Sequence, residues 1–182
     1  MVNEALDATP KPWLIEEHRE ALVLAANIIT DADVILIGAG AGASVDSGLP
    51  DFRSERGFWK AYPPAADLGF CYEDVAEGPW FVKNPEMAWG FILHCKNLFD
   101  AREPHEGYHI LKRWADEKQT SWVYTSNIDE YFYRAGFVPE RITEIHGFRH
   151  TLQCTTPCSR ETWRVDMEGW TLDEETLMLS SP

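Results

Sequence analysis

The chain has 182 residues, 45% hydrophobic and 25% charged, a length and balance that suit one soluble globular domain with its own core. Its formal net charge of -14 repels phosphate backbones and argues against nucleic-acid binding; the same field either attracts Lys-rich protein segments or serves solubility alone. No apolar run is long enough to span a bilayer, and the polar stretch from Met1 to Pro12 has no signal-peptide core, so a cytoplasmic setting without membrane partners is expected.

From Trp13 to Ile29 the spacing of Ala21, Leu24, Ala25 and Ile28 predicts an amphipathic helix. Val34-Ile35-Leu36-Ile37 is a short β-branched run ending at Gly38, the pattern of a strand buried on both faces. A glycine-rich loop follows, to about Gly57. Between Phe58 and Ala101 aromatics and prolines are dense, which predicts several short helices, the clearest from Pro85 to Phe99. A second amphipathic helix runs from about Pro104 to Lys118, with Tyr108, Leu111 and Trp114 on one face. Ser121 to Tyr124 and Arg141 to Ile145 read as two more strands. The alternation predicts an α/β fold with a mostly parallel sheet. Ligands of such sheets bind beyond the carboxyl ends of the strands, where the loops Gly38 to Arg53, Thr125 to Asp129 and His146-Gly147 fall.

The first of these loops fits the loose dinucleotide pattern G-x-G-x-x-A, whose glycines let backbone N–H groups approach a diphosphate. The acidic ribose ligand expected about twenty residues on is missing, since Tyr62-Pro63-Pro64 stand there. Packing alone is the other reading of such a turn. His146 is the strongest general-base candidate at a strand end, because imidazole titrates near neutrality; a turn histidine bonded to backbone is the alternative. His94, His105 and His109 fall on predicted helices as surface or packing residues. Asn127 can donate and accept, which suits a ribose hydroxyl or a water, while Asn127 and Asp129 as mere turn formers are the plain reading. Ser44 either bonds a ribose or phosphate or caps a helix. Of four cysteines, Cys71 and Cys95 stand among apolar residues as buried thiols. Cys154 and Cys158 form a C-x3-C pair, with His150 four residues before it as a candidate third ligand; two reduced thiols on a hairpin is the alternative.

The longer string Gly40-Ala41-Gly42-Ala43-Ser44-Val45-Asp46-Ser47-Gly48-Leu49-Pro50-Asp51-Phe52-Arg53-Ser54 resembles the signature of the sirtuin family. Gly57-Phe58-Trp59 with Tyr62, Thr125-Ser126-Asn127-Ile128-Asp129, Ala135-Gly136 and Glu144-Ile145-His146-Gly147 resemble later family segments in the right order, and Cys154 and Cys158 fall where the family's zinc site begins. The resemblance covers roughly residues 20 to 160. It implies a Rossmann-like NAD-binding domain over 1–147, with a helical insertion at about 58–103, and the beginning of a zinc module over 148–182. It implies NAD as a consumed co-substrate and an acyl-lysine protein as the partner. The acyl group passes to ADP-ribose and nicotinamide leaves. His146 and Asn127 are the implied catalytic residues. Gly40, Ala41, Gly42, Ser44, Asp51, Phe52, Arg53, Ser126, Asn127, Asp129 and His146 are the implied NAD contacts, with Asp129 accepting from the carboxamide, Phe52 over the nicotinamide and Arg53 near the phosphates and ribose. Cys154 and Cys158 are the implied zinc ligands.

The sequence departs from the family at several points. Ser126 replaces a glutamine, the cysteine pair is one residue wider than usual, and no Tyr-x-x-Arg pair follows Trp59, so desuccinylation has no support. The second cysteine pair and the later Gly-Thr-Ser strand end are missing, so the chain is expected either to be a fragment or to take those parts from elsewhere, and by itself to have an exposed apolar sheet edge, poor NAD affinity and little activity. An NAD glycohydrolase or ADP-ribosyltransferase, and a non-catalytic NAD-binding module, are the competing readings.

Overall fold

The computed structural model describes residues 16–50, 55–72, 74, 77–156, 158–173 and 175–181. Helix α1 (Arg19–Asp31) leads into β1 (Val34–Ala39). A 3-10 turn, Ala41–Ser47, follows β1 directly. The middle of the chain is helical: α2 (Glu55–Ala61), α3 (Pro63–Leu68), α4 (Trp80–Lys83) and α5 (Pro85–Asp100). Then come α6 (Glu106–Asp116), β2 (Thr120–Thr125), α7 (Tyr131–Arg134) and β3 (Ile142–Glu144). Two small antiparallel pairs complete it, β4 (Thr151–Leu152) with β5 (Trp163–Arg164), and β6 (Thr171–Leu172) with β7 (Leu179–Ser181). The three strands, the α5 helix and the α6 helix expected from the sequence are all present; for α1, the expected start at Trp13 lies outside the described residues.

Strands β1, β2 and β3 form one parallel sheet in that order. Parallel pairing needs a crossover between strands, and the helices from α2 to α6 supply the one from β1 to β2. The register sets Ala39 beside Thr125 and Thr125 beside Glu144. The ladder runs one step further, with Ser126 N donating to Ala39 O (3.2 Å) and Ile145 N to Thr125 O (3.0 Å). Three strand ends therefore open their loops at one level.

Among the described residues only one face of this sheet is covered. Ile37, Val123, Thr125 and Ile142 are buried on it. On the other face Val34 and Leu36 are exposed, at 57% and 70%, as are Trp122 and Tyr124. Side chains alternate across a strand, so the apolar run of β1 is half exposed, and the expectation of burial on both faces is corrected. Helix α1 has no buried residue, and Leu22, Val23, Leu24 and Ile28 face outward. No helix among the described residues is long and apolar enough to cross a membrane.

The core lies under the covered face and is built on α5. Met87, Phe91, Cys95 and Phe99 recur at helical spacing and are buried. Phe91 meets Phe58, Tyr62 and Tyr72 edge-on, with ring centroids 5.8, 5.2 and 6.1 Å away, the geometry aromatic quadrupoles prefer. Gly90 lets the backbone of residues 177–179, where β7 begins, approach α5: a Cβ there would collide with Leu177 O and lie 2.9 Å from Leu179 N. Cys95 is buried as expected, and burial pushes its thiol pKa up. Cys71 is only half-buried and contacts Asp74, which corrects its placement in the core.

Phe91→Ala is predicted to cost about 3–5 kcal/mol in a urea melt. Leu36→Ala, on the uncovered face, is predicted to stay within about 0.5 kcal/mol. Comparable losses at the two positions would contradict the one-sided sheet.

Candidate active site at the strand ends

The aligned strand ends bring together Ala41 and Ser44 from the turn after β1, Ser126, Asn127 and Asp129 from the loop after β2, and His146 from the loop after β3. All six line one cavity of about 400 Å³. Its floor is apolar, from Phe91, Ile92, Cys95 and Phe99 of α5 with Tyr72, and Leu49, Pro50 and Ile128 close its sides. A concave apolar pocket with a few convergent polar groups is the usual form of a small-molecule site. Gly40 and Gly42 sit at the same turn. A Cβ on Gly42 would meet nothing within 4 Å, and one on Gly40 only Ser126 Oγ at 3.6 Å. Asp51, Phe52 and Arg53 lie outside the described residues.

Ser44 is 3% exposed and its hydroxyl is fully used. It donates to Asp129 Oδ2. A hydroxyl has one proton and two lone pairs, so the other partners must donate: Asn127 Nδ2 at 3.1 Å and the Tyr108 hydroxyl at 3.0 Å. Asp129 is also held by Tyr131 N, which donates to its Oδ1 at 2.9 Å. Each carboxylate oxygen of Asp129 thus has a donor, one from the backbone and the other from Ser44, while the residue lines the cavity. Asn127 has its amide nitrogen turned into this network, and its N–H donates to Thr125 Oγ1 at 3.0 Å. Its carbonyl oxygen keeps no partner among the described residues and is left for the cavity.

Tyr108 is the member the sequence did not mark. On α6 it reads as one aromatic of an apolar face, and its ring does pack edge-on against Tyr131 and Phe132. Only the fold shows that its hydroxyl ends under Ser44. Burial, then the charge of Asp129, raise its pKa, so it stays a neutral donor. His105 also has a role missed in the sequence: it caps α6, with Nδ1 accepting from Gly107 N and Nε2 2.8 Å from Ala43 O.

His146 is exposed at the cavity rim and keeps no hydrogen-bond partner among the described residues. The turn behind it is made by Gly147, which has φ of 85° and donates its N–H to Glu144 O, so the imidazole is not needed to hold it. Behind the site Glu144 is pushed up to about 7, by burial first and then by the charges of Glu130 and Asp129. The Tyr133 hydroxyl faces it, and Tyr133 is itself pushed up to about 12, mainly by burial and by Glu144.

Cys154 and Cys158 bring their sulfurs to 3.2 Å. Structural zinc usually takes four ligands. His150, the candidate third, lies against Glu130 at 3.3 Å, and among the described residues no three His, Cys, Asp or Glu side chains group as a metal would need. The residues present supply two donors and do not by themselves fit the ion.

Two outcomes follow. Tyr108→Phe keeps the ring and removes one donor to Ser44, and is predicted to cost about 1–2 kcal/mol in chemical denaturation. The raised pKa of Glu144 means the folded state binds more protons than the unfolded one between about 4.5 and about 7, so stability present at low pH is lost as pH rises through that window. The Tm is predicted to decline from about pH 5 to 8, and Glu144→Gln to flatten the decline.

Comparison with known proteins agrees with this geometry. The Sir2 family model matches residues 40–175. NAD-dependent protein deacylase 2 of Pseudomonas syringae pv. tomato is 32% identical over 140 residues, covering 77% of this chain and 55% of the relative. NAD-dependent protein deacylase 2 of Archaeoglobus fulgidus is 31% identical over 150 residues, covering 82% and 55%. Among solved structures, a Sir2 enzyme studied for its mechanism and regulation aligns with TM-score 0.58 at 31% identity, over 82% of this chain and 53% of the other. The chain spans about half the length of the curated relatives it matches. With three quarters of its length under the family model and the motif residues gathered at one cavity, the chain belongs to the Sir2 family.

Proposed function

We propose that this cavity is the catalytic part of an NAD-dependent protein-lysine deacylase site. The observation that carries the reading is the convergence of His146, Asn127 and Ser126 on one cavity, with the imidazole of His146 unpartnered among the described residues. The names of the relatives from Pseudomonas and Archaeoglobus support the same reaction class. NAD, when bound, supplies the ribose carbon that takes the acyl oxygen and the nicotinamide that leaves.

The chain's own residues then divide the work. His146 takes a proton from a ribose hydroxyl, for which an exposed imidazole with no hydrogen-bond partner among the described residues is suited. Asn127 presents a carbonyl oxygen, so the group it meets must be a donor, a sugar hydroxyl or a water. Ser44 and Asp129 hold that amide in place. Nothing in the packing of the described residues explains Gly42, and a bare backbone there leaves room for a phosphate-bearing ligand to approach. The apolar floor on α5 excludes water from the reacting groups.

The finer parts of the reading are proposals of the same kind. The substrate is an acyl-lysine protein, and the net charge of -14 suits a Lys-rich segment. Zinc is a structural ion, with Cys154 and Cys158 as two of its ligands and the remaining donors from outside the described residues. A cytoplasmic setting belongs to the same reading, since Cys154 and Cys158 can serve as zinc ligands only as thiols, which a reducing compartment preserves.

The test is turnover of NAD with an acetyl-lysine peptide, read by mass spectrometry. Deacylated peptide with O-acetyl-ADP-ribose is the expected result. His146→Ala is predicted to lower it by about 10²–10⁴-fold, the usual worth of a general base. Free ADP-ribose without deacylated peptide would instead mark a glycohydrolase, and ADP-ribosylated protein a transferase. NAD binding without any product would mark a non-catalytic module.

A further inference from the structure

Glu130, immediately after Asp129, has φ of 64° and ψ of 17°. This is the left-handed region, which glycine and asparagine enter more easily than a glutamate does. The side chain must therefore be wanted there, and its partners show for what. Glu130 Oε2 accepts from Arg149 Nη2 at 2.7 Å. Arg149 is only 10% exposed. Its guanidinium lies over the Phe99 ring, 5.8 Å from the centroid, and its Nη1 comes within 2.8 Å of Asp100 Oδ1 in an ion pair poorly aligned for a hydrogen bond.

One guanidinium thus joins three pieces of the fold: the loop after β2 that carries Asn127, the loop after β3 that carries His146, and the end of α5. The last sheet bond between the two loops is Ile145 N to Thr125 O; beyond it no backbone bond joins them among the described residues, and the Arg149–Glu130 pair does. Burial works against the charge of Arg149, but Glu130 and Asp100 outweigh it and hold its pKa above the ordinary value. The guanidinium is a permanent cation at any working pH.

We propose that Glu130 and Arg149 form a latch that positions Asn127 and His146 relative to each other, so that both are positioning residues for the reaction. The catalytic consequence rests on the deacylase reading; the latch itself does not.

The test uses the full chain and three variants. Arg149→Met keeps the stem over Phe99 and removes the charge. Glu130→Gly removes the carboxylate and relaxes the backbone, and it leaves Asp100 beside the guanidinium, so the two variants perturb the pair from opposite sides. Arg149→Lys keeps the charge without the planar fork. Amide hydrogen exchange is followed by mass spectrometry, beside NAD turnover with an acetyl-lysine peptide. The latch predicts that exchange at 126–130 and at 145–149 both quicken about tenfold in Glu130→Gly and in Arg149→Met, while α6 is unchanged. It also predicts that kcat falls about tenfold or more in both while KM for NAD stays within about threefold, with Arg149→Lys recovering part. Unchanged exchange, or quickening confined to the loop that carries the substitution, would overturn the latch. Quickened exchange in both loops with undiminished kcat would overturn the positioning role. A parent chain that exchanges as expected but never turns over NAD would count against the deacylase reading and leave the latch standing.

Discussion

Backbone hydrogen bonds between three parallel strands put Ala39, Thr125 and Glu144 side by side, and the site is a consequence of that alignment. Each strand passes its chain into a loop at the same level, so residues 85 positions apart, such as Ser44 and Asp129, come within hydrogen-bonding reach. A slip of one residue in a strand would turn its inward side chains outward. Ile37, Val123 and Ile142 resist such a slip, because their burial requires the observed alternation.

Packing is arranged on one side of this sheet. Helix α5 supplies both the aromatic core and the floor of the cavity, so the residues that stabilise the fold also shape the pocket. The opposite face presents Leu36, Trp122 and Tyr124 to solvent. Exposed apolar area of this kind forgoes about 25 cal/mol per Å² of burial. The covered side therefore has to hold the sheet.

Polar chemistry at the strand ends is acidic on the inside. Asp129, Glu130 and Glu144 stand close together, and three physical devices keep them there. Asp129 is held by donors, the backbone of Tyr131 and the hydroxyl of Ser44. Glu130 is matched by Arg149. Glu144 is pushed up by burial and by its neighbours' charge, and with only the Tyr133 hydroxyl and the charge of Arg149 to offset them it holds its proton toward neutral pH. Removing one partner from such a group costs more than the pair itself gains, which makes this cluster sensitive to single substitutions. His146 stands at the exposed rim of it.

The sequence by itself determined the family resemblance, the α/β order of elements, and the placing of Ser44, Ser126, Asn127, Asp129 and His146 on loops at strand ends. Those rest on local signals: short runs rich in β-branched and aromatic residues, helical spacing, glycines, and short motifs read along the chain. Tertiary structure decided the rest. Whether Val34 and Leu36 are covered depends on what packs above them, and an apolar run reads the same either way. Tyr108 looks like any aromatic on an amphipathic helix, and its hydroxyl gains meaning only when α6 is laid beside the turn after β1. Asp129 reads as a ligand or as a turn former in sequence, and only the fold shows its carboxylate accepting from Tyr131 N and Ser44 while it lines the cavity. The pairing of Glu130 with Arg149 joins residues 19 positions apart, and no periodicity along the chain connects them. Distance along a sequence carries no record of the register that makes two residues neighbours, and that register is what only the folded structure supplies.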